Sequence, residues 1–465
     1  MYYNKEANKL RHATPAAVIA VAGAALLLLS AVPVAFAFLA EIAAQDSLLS
    51  VDVEAIVIVL LQAGVVMAML GITALFLSLV IQICMPKTLR IYFQVRRCLF
   101  AHRFGNPLRL ENGQRLPTLA PFKPKGTGKY VLRIVTSSIT CDDLSNVADA
   151  ISAGLRGRLS KYAVTKSEQA IAAGYVDFTI ENVERDRSIK LTSIEQLKQP
   201  DPTRLIIQEG AYIDLKSSGS FIVAGKTRSG KTTGIITLLI QVLMNGRDKH
   251  GSQVLIIDPK RAELSCLPYT TTLGDDGEAR EILNAMQEFV DSIRKRQAHL
   301  NELSKRRGDA IKWYEANMRP SILFIDEYVA LRSILPKKAS KDDPTYCLAA
   351  FDDLLKVIIT TGQSAGAFAI VSIAQASVSE GGLPSMLRDA LTTKILFKPT
   401  IEEARLIWDS TMLSCLCERT YKASDAWFSS TDGINDYPSY VRFPNVDDIK
   451  EYGELSRLLI EYYRQ

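Results

Sequence analysis

Phe221-Ile222-Val223-Ala224-Gly225-Lys226-Thr227-Arg228-Ser229-Gly230-Lys231-Thr232 joins four apolar residues to the complete pattern G-x-x-x-x-G-K-[ST]. The apolar run predicts a buried strand, and the stretch from Thr233 to Met244 continues as an apolar helix. Strand, loop and helix in that order are the context that makes the pattern a phosphate-binding loop. Gly225 and Gly230 let the backbone wrap closely, so that amides of Lys226, Thr227, Arg228, Ser229, Lys231 and Thr232 converge on phosphate oxygens. The helix start, through Thr233, adds the positive end of its dipole. Lys231 is expected to bridge the β- and γ-phosphates of ATP, and the Thr232 hydroxyl to ligate Mg²⁺.

A second segment complements the loop. Ile322-Leu323-Phe324-Ile325 reads as a central strand that ends in two carboxylates, Asp326 and Glu327. Carboxylates at the C-terminal end of a strand face the ligand crevice of an open α/β sheet. Asp326 is the expected second Mg²⁺ ligand, and Glu327 the group that polarises the attacking water. Further buried strands are expected at Val254–Asp258, Phe368–Ile373 and Lys394–Phe397, with helical stretches between them. Short apolar strands alternating with helices give an α/β fold with a parallel sheet covered on both faces.

Upstream the chain is different. Ala13–Ala40 (28 residues) and Ala55–Met85 (31 residues) carry no charge, and about 20 apolar residues cross a bilayer. A cleaved signal peptide has an apolar core of only about 7–15 residues and no second span behind it. A two-helix transmembrane hairpin is therefore expected within 1–98, its spans at about 14–40 and 55–85. Only acids (Glu41, Asp46, Asp52, Glu54) lie between the spans, whereas residues 86–130 hold ten Lys/Arg against Glu111 alone. That asymmetry predicts a multi-pass protein of the cell membrane with both termini and the nucleotide-binding domain in the cytoplasm. Seven cysteines without a C-x-x-C pair, and four histidines, form no zinc pattern. A net charge of +5 is too mild to name a partner.

Between hairpin and phosphate-binding domain, residues 99–128 are rich in Pro, Gly and basic residues and read as a linker. Residues 129–204 read as a small β-α-β module, with strands near Tyr130–Val135 and Tyr175–Ile180. Its helix is expected over Asp143–Leu155, with Leu144, Val147, Ile151 and Leu155 on one stripe. Residues 205–465 form the ATPase domain, closed by a strand pair within Trp427–Phe443 and a helix over Asp447–Tyr463.

Ile256-Ile257-Asp258-Pro259-Lys260-Arg261-Ala262-Glu263-Leu264, Gly362–Gly366 leading into Ala369–Gln375, and Leu387–Lys398 follow the phosphate loop in this order around Asp326-Glu327. Together these segments resemble the FtsK/SpoIIIE family of DNA translocases over about 240 residues. The resemblance implies a RecA-like core that assembles as a homo-hexamer around DNA and contacts its backbone without reading sequence. It also implies that Gln375 senses the γ-phosphate, and that Asp258 and Lys260 lie near a subunit interface. Thr392-Thr393-Lys394 stands where the family has a P-T-R run, and lysine cannot reproduce arginine's bidentate grip. The trans-acting finger therefore stays unassigned, with Arg388 one candidate for it. Arg294-Lys295-Arg296 and Lys305-Arg306-Arg307 are a basic run that either lines a DNA pore or is a solvated face. One hairpin, and few residues after the core, look most like the FtsK-like coupling proteins of Gram-positive conjugative plasmids and integrative elements. Relaxase and secretion-channel proteins are then the implied partners. A protein-export ATPase of the type VII secretion kind and a chromosome-segregation pump are the alternatives.

Overall fold

The computed structural model describes residues 14–45, 53–100, 107–120, 123–124, 128–145, 147–341, 343–374, 384–413, 416 and 421–464. The chain divides into two compact units, Met1–Glu184 and Arg185–Gln465.

The first unit opens with helix α1 (Pro15–Leu29), capped by the Thr14 hydroxyl and started by a proline. A turn at Ser30 leads into α2 (Ala31–Gln45), and α3 (Val53–Cys84) folds back against both. Two of these helical stretches, Pro15–Ile42 and Val53–Cys84, are long and apolar enough to cross a membrane. Their apolar side chains face outward: Leu28 is 77 % exposed and Phe76 67 %. What the helices bury against each other is small. Ala16, Gly23 and Ala37 on one side and Gly64, Gly71 and Ser78 on the other are buried. A Cβ added at Gly71 would lie 2.9 Å from the Gly23 carbonyl oxygen and 2.8 Å from Leu27 Cγ, so backbones touch there. The Ser78 hydroxyl donates to the Ala16 carbonyl at 2.7 Å.

Behind the hairpin, α4 (Lys87–Phe100) is amphipathic and buries Ile91, Val95, Leu99 and Phe100. These pack with the small module: β1 (Thr118–Leu119), β2 (Lys123–Pro124), β3 (Lys129–Val135), helices α5 (Cys141–Ser145) and α6 (Ala148–Gly154), β4 (Tyr162–Ala170) and β5 (Tyr175–Asn182). The sheet is antiparallel in the order β1-β3-β5-β4, with β2 also on β3. Leu144, Val147, Ile151 and Leu155 are buried as the stripe predicts, although two short helices carry them instead of one. The 99–128 stretch is more than a linker, because Leu108, Leu110 and Leu116 join the same core. Its prolines and basic residues masked those three apolar anchors.

The second unit begins at Arg185, about twenty residues before the expected start of the ATPase domain. Ile194 and Leu197, on a Ser193-capped 3₁₀ turn, and Leu191 just before it belong to its core. A hairpin, β6 (Arg204–Gln208) and β7 (Ala211–Asp214), precedes β8 (Phe221–Gly225), α7 (Lys231–Leu243), β9 (Val254–Asp258) and β10 (Thr270–Thr272). Then follow α8 (Arg280–Arg307), β11 (Ser321–Ile325), α9 (Tyr328–Ile334), α10 (Leu348–Thr361), β12 (Ala367–Ile373), α11 (Ser385–Ala390) and β13 (Thr393–Phe397). Short helices α12 (Ile401–Arg405) and α13 (Ser410–Leu413), strands β14 (Asp425–Ser429) and β15 (Ser439–Arg442), and helix α14 (Glu451–Arg464) complete it.

The eight-stranded sheet runs β10-β9-β11-β12-β8-β13-β14-β15. The first six strands are parallel, and β14 and β15 are antiparallel additions. Successive residues of β8 feed opposite faces: Phe221 and Val223 join one core with Phe324 and Phe397, Ile222 and Ala224 the other with Phe289 and Phe351. All five strands expected from the apolar runs form, and the sheet is the parallel, doubly covered α/β arrangement of a RecA-like core.

Candidate functional site

β8 is central and fully buried up to Ala224, so the chain leaves the sheet at its C-terminal edge as the phosphate loop. Two glycines there are required by their neighbours. Gly230 has φ +94°, and a Cβ on it would lie 2.7 Å from the Ser424 amide nitrogen. A Cβ on Gly225 would lie 2.7 Å from Phe397 Cβ. Arg228 also takes a left-handed backbone, φ +64°. Gly230 caps α7, whose body from Gly234 onward is buried and whose first turn opens to a cavity of about 910 Å³. Lys226, Thr227, Arg228, Gly230, Lys231, Thr232 and Thr233 all line it. Ser229 lies beneath, its hydroxyl buried without a protein partner.

Asp326 and Glu327 line the same cavity. They end β11, which is two strands from β8, with β12 between them. Lys231 is only 7 % exposed; its ammonium donates to Glu327 Oε1 at 3.1 Å and to the Ile373 carbonyl at 3.3 Å. Glu327 holds φ +53° at the start of α9, a conformation that costs a non-glycine residue on the order of 1–3 kcal/mol. Ser372 donates to Asp326 Oδ1 at 3.3 Å. Burial pushes the Asp326 carboxyl above its ordinary range, against the pull of Lys231 and with the push of Glu327 and Asp258. A divalent cation would relieve that repulsion, and Thr232 and Asp326, both on the cavity wall, have the donor chemistry to hold Mg²⁺. The glycine cradle, the unpartnered Ser229 hydroxyl and the buried Lys231 likewise fit a nucleotide triphosphate tail.

Several wall residues escaped the sequence reading because they come from distant segments. Asp186 and Ser188, Lys422 to Ser424, Arg442 and Phe443, Asn445 to Asp447, and Tyr452 all line the cavity. Ser424 donates its amide to the Ser229 carbonyl at 3.2 Å, and Thr233 donates its hydroxyl to Glu451 at 3.3 Å. Arg442 ties Asp425 (2.5 Å) to Asp186 (3.1 Å). The pairing of β15 beside β14 and an isolated bridge between Lys190 and Asn445 help to bring these together.

Other expected positions separate. Gln375 lies outside the described residues. Arg296 is no surface residue: 1 % exposed, it donates to Asp248 (3.1 Å) and to the carbonyls of Ala365 (2.8 Å) and Arg319 (2.6 Å). It cannot line a pore. Arg294, Lys295, Lys305, Arg306 and Arg307 are exposed, the last three where a helix C-terminus favours cations. Lys394 points inward to the Ile407 carbonyl at 2.9 Å, and burial lowers its proton affinity. Arg388 is paired with its neighbour Asp389 at 3.7 Å.

Residues 195–387 match the profile of the FtsK/SpoIIIE family. The FtsK domain-containing protein YdcQ of Bacillus subtilis (strain 168) is 26 % identical over 150 residues, 32 % of this chain and 28 % of YdcQ. The chain thus spans less than a third of that relative. Among solved structures, the pCW3 conjugation coupling protein TcpA, a monomer with ATPγS, superposes with a TM-score of 0.47 at 16 % identity, over 74 % of this chain and 94 % of that one. ATPases 2 and 3 of EssC from Geobacillus thermodenitrificans give 0.40 at 17 % identity, over 60 % and 52 %.

Proposed function

We propose, from the premise that residues 195–387 are an FtsK/SpoIIIE-family domain and the chain an ATPase of that type, that it is a membrane-anchored, ATP-driven DNA translocase. The observation that carries the reading is the convergence on one cavity of Lys231, Thr232, Asp326 and Glu327, all within the matched segment.

Bound Mg²⁺ would neutralise charge on the β- and γ-phosphates. The chain's own groups do the rest. Amides of the phosphate loop and the Lys231 ammonium bind the phosphates, so Lys231 exchanges the Glu327 carboxylate for phosphate oxygen. Glu327, released from that pair, orients a water and takes its proton as the water attacks. The Ile373 carbonyl and the Ser372 hydroxyl, at the end of β12, hold Lys231 and Asp326 in place by accepting from the one and donating to the other.

The two apolar helices fit a membrane hairpin, because their large side chains point outward and their small ones inward. The basic residues after the second span support an orientation with both termini and the ATPase domain on the cytoplasmic side. DNA would be gripped by its backbone in a homo-hexamer, with the exposed Arg294, Lys295 and Lys305–Arg307 available to phosphates. Delivery of DNA to a conjugative transfer channel, with a relaxase and channel proteins as partners, is the role we assign. Gln375 keeps the sensor role that the family motif gives it.

The test is ATPase activity of the full chain in detergent or lipid discs, with and without DNA. Wild type should be stimulated by DNA of any sequence. Lys231→Ala should lose activity, and Glu327→Gln should bind ATP without turning it over. Equal rates with and without DNA, together with no DNA binding, would sink the translocase reading. Capture of a secreted protein in place of a relaxase would move the role to protein export.

A further inference from the structure

The segment Asp258-Pro259-Lys260-Arg261-Ala262 leaves β9 at the edge of the sheet where β11 delivers Glu327, because β9 and β11 are adjacent parallel strands. Asp258 is fully buried, and its carboxylate is spent on the backbone of its own turn. One oxygen accepts from the Lys260 amide at 3.1 Å and the other from the Ala262 amide at 2.8 Å. Arg261 adopts φ +51° and donates from its guanidinium to the carbonyls of Leu273 and Gly274. A short side chain that caps its own turn twice, with the next residue tied to a second loop, fixes the backbone between them.

That backbone presents Lys260 to the cavity. Its ammonium stands 3.6 Å from Glu327 Oε2, while Lys231 holds Oε1 at 3.1 Å. Each carboxylate oxygen thus has its own lysine. The two lysines differ in what nucleotide does to them. Lys231 belongs to the phosphate loop and is drawn to phosphate, whereas Lys260 comes from another strand and half of its side chain is exposed. Once Lys231 leaves, Asp326 remains beside Glu327 as a like charge, and the backbone of Glu327 is fixed, so only its side-chain torsions can respond.

We propose that Lys260 is a positioning residue for Glu327, keeping the carboxylate aimed into the cavity after Lys231 has turned to the phosphates. The assignment rests on the ATPase reading above. It gives the Asp-Pro-Lys turn a task within its own subunit, with Asp258 as the brace and Lys260 as the pointer.

The experiment measures kcat, KM and ATPγS affinity for the full chain in detergent, comparing wild type, Lys260→Met, Lys260→Arg and Lys231→Ala. Lys260→Met should lower kcat about 10–100-fold, the scale of lost outer-shell partners, with KM and ATPγS affinity within about threefold of wild type. Lys260→Arg keeps the charge and should recover most of the rate. Three results overturn the assignment: an unchanged kcat in Lys260→Met, a raised kcat, or ATPγS affinity falling in step with kcat. A wild-type rate that Lys231→Ala does not lower removes the ATPase reading itself, and this assignment with it.

Discussion

The hairpin of the first unit and the sheet of the second are both built from long apolar runs, yet they are packed on opposite rules. In the sheet the largest side chains go inside: Phe221, Phe324, Phe368, Phe397 and Trp427 are fully buried. In the hairpin the largest go outside, and alanine, glycine and serine form the seam. Water explains the first rule, since each buried phenylalanine removes apolar area from it. Lipid would explain the second, in the membrane hairpin proposed above. Hydrocarbon solvates leucine as well as another helix does, so helices gain by close backbone contact and by rare polar bonds. Apolar content alone therefore does not say which way a side chain will point; the solvent does.

This contrast can be broken experimentally at four points. The largest effect belongs to the sheet, where taking volume away should hurt most. Phe324→Ala, on the strand that leads to Asp326 and Glu327, should lose about 3–5 kcal/mol, seen as a lower unfolding midpoint. A loss below about 1 kcal/mol would mean the core collapses around the gap. In the hairpin, adding volume should hurt. Gly71→Leu drives atoms into Leu27 and the Gly23 carbonyl, and should cut disulfide cross-linking between cysteines placed at Ala16 and Ser78 several-fold, as expected of a close-packed seam. Leu28→Ala, on the exposed face, should leave that yield unchanged.

The two smaller effects compare polar bonds. In the second unit Asp201 accepts from Lys216 at 2.5 Å and from Thr203. Burial pulls its carboxyl upward, but the Lys216 and Thr203 bonds outweigh it and hold it at about 2, against 3.8 ordinarily. A depressed carboxyl stabilises above its unfolded pKa and loses that contribution as pH falls through its folded one. Wild type should therefore exceed Asp201→Asn by about 1 kcal/mol above pH 5, after allowing for solvent screening. The gap should close toward pH 2, and a gap independent of pH would remove the charge from the account. The smallest effect is Ser78→Ala. Loss of its bond to Ala16 should cost about 0.6 kcal/mol, readable as a small rise in helix separation under denaturing detergent.

Legibility followed the same division. The phosphate loop and the Asp326-Glu327 pair stood in the sequence because each is local: a strand, a turn and two or three side chains in a row. The apolar strands of the parallel sheet were readable for the same reason, being buried on both faces. β4 was not, since Thr165, Lys166, Ser167, Glu168 and Gln169 give it no apolar alternation. Arg296 was misread because a charged residue in a basic run gives no sign that Asp248 and two carbonyls wait for it inside. The small-residue seam was in fact present in the sequence. Ala16, Gly23, Ser30 and Ala37, like Gly64, Gly71 and Ser78, recur every seven residues, a helical repeat hidden by the leucines around it.

The sequence by itself determined the phosphate loop, the carboxylate pair, the parallel sheet and the two apolar spans, since each is encoded by neighbours along the chain. Tertiary structure alone decided that Lys260 and Lys231 share the two oxygens of Glu327. It also decided that Asp186, Ser424, Arg442 and Tyr452 wall the cavity. These contacts depend on which strands become neighbours, and strand order is settled by packing over the whole sheet.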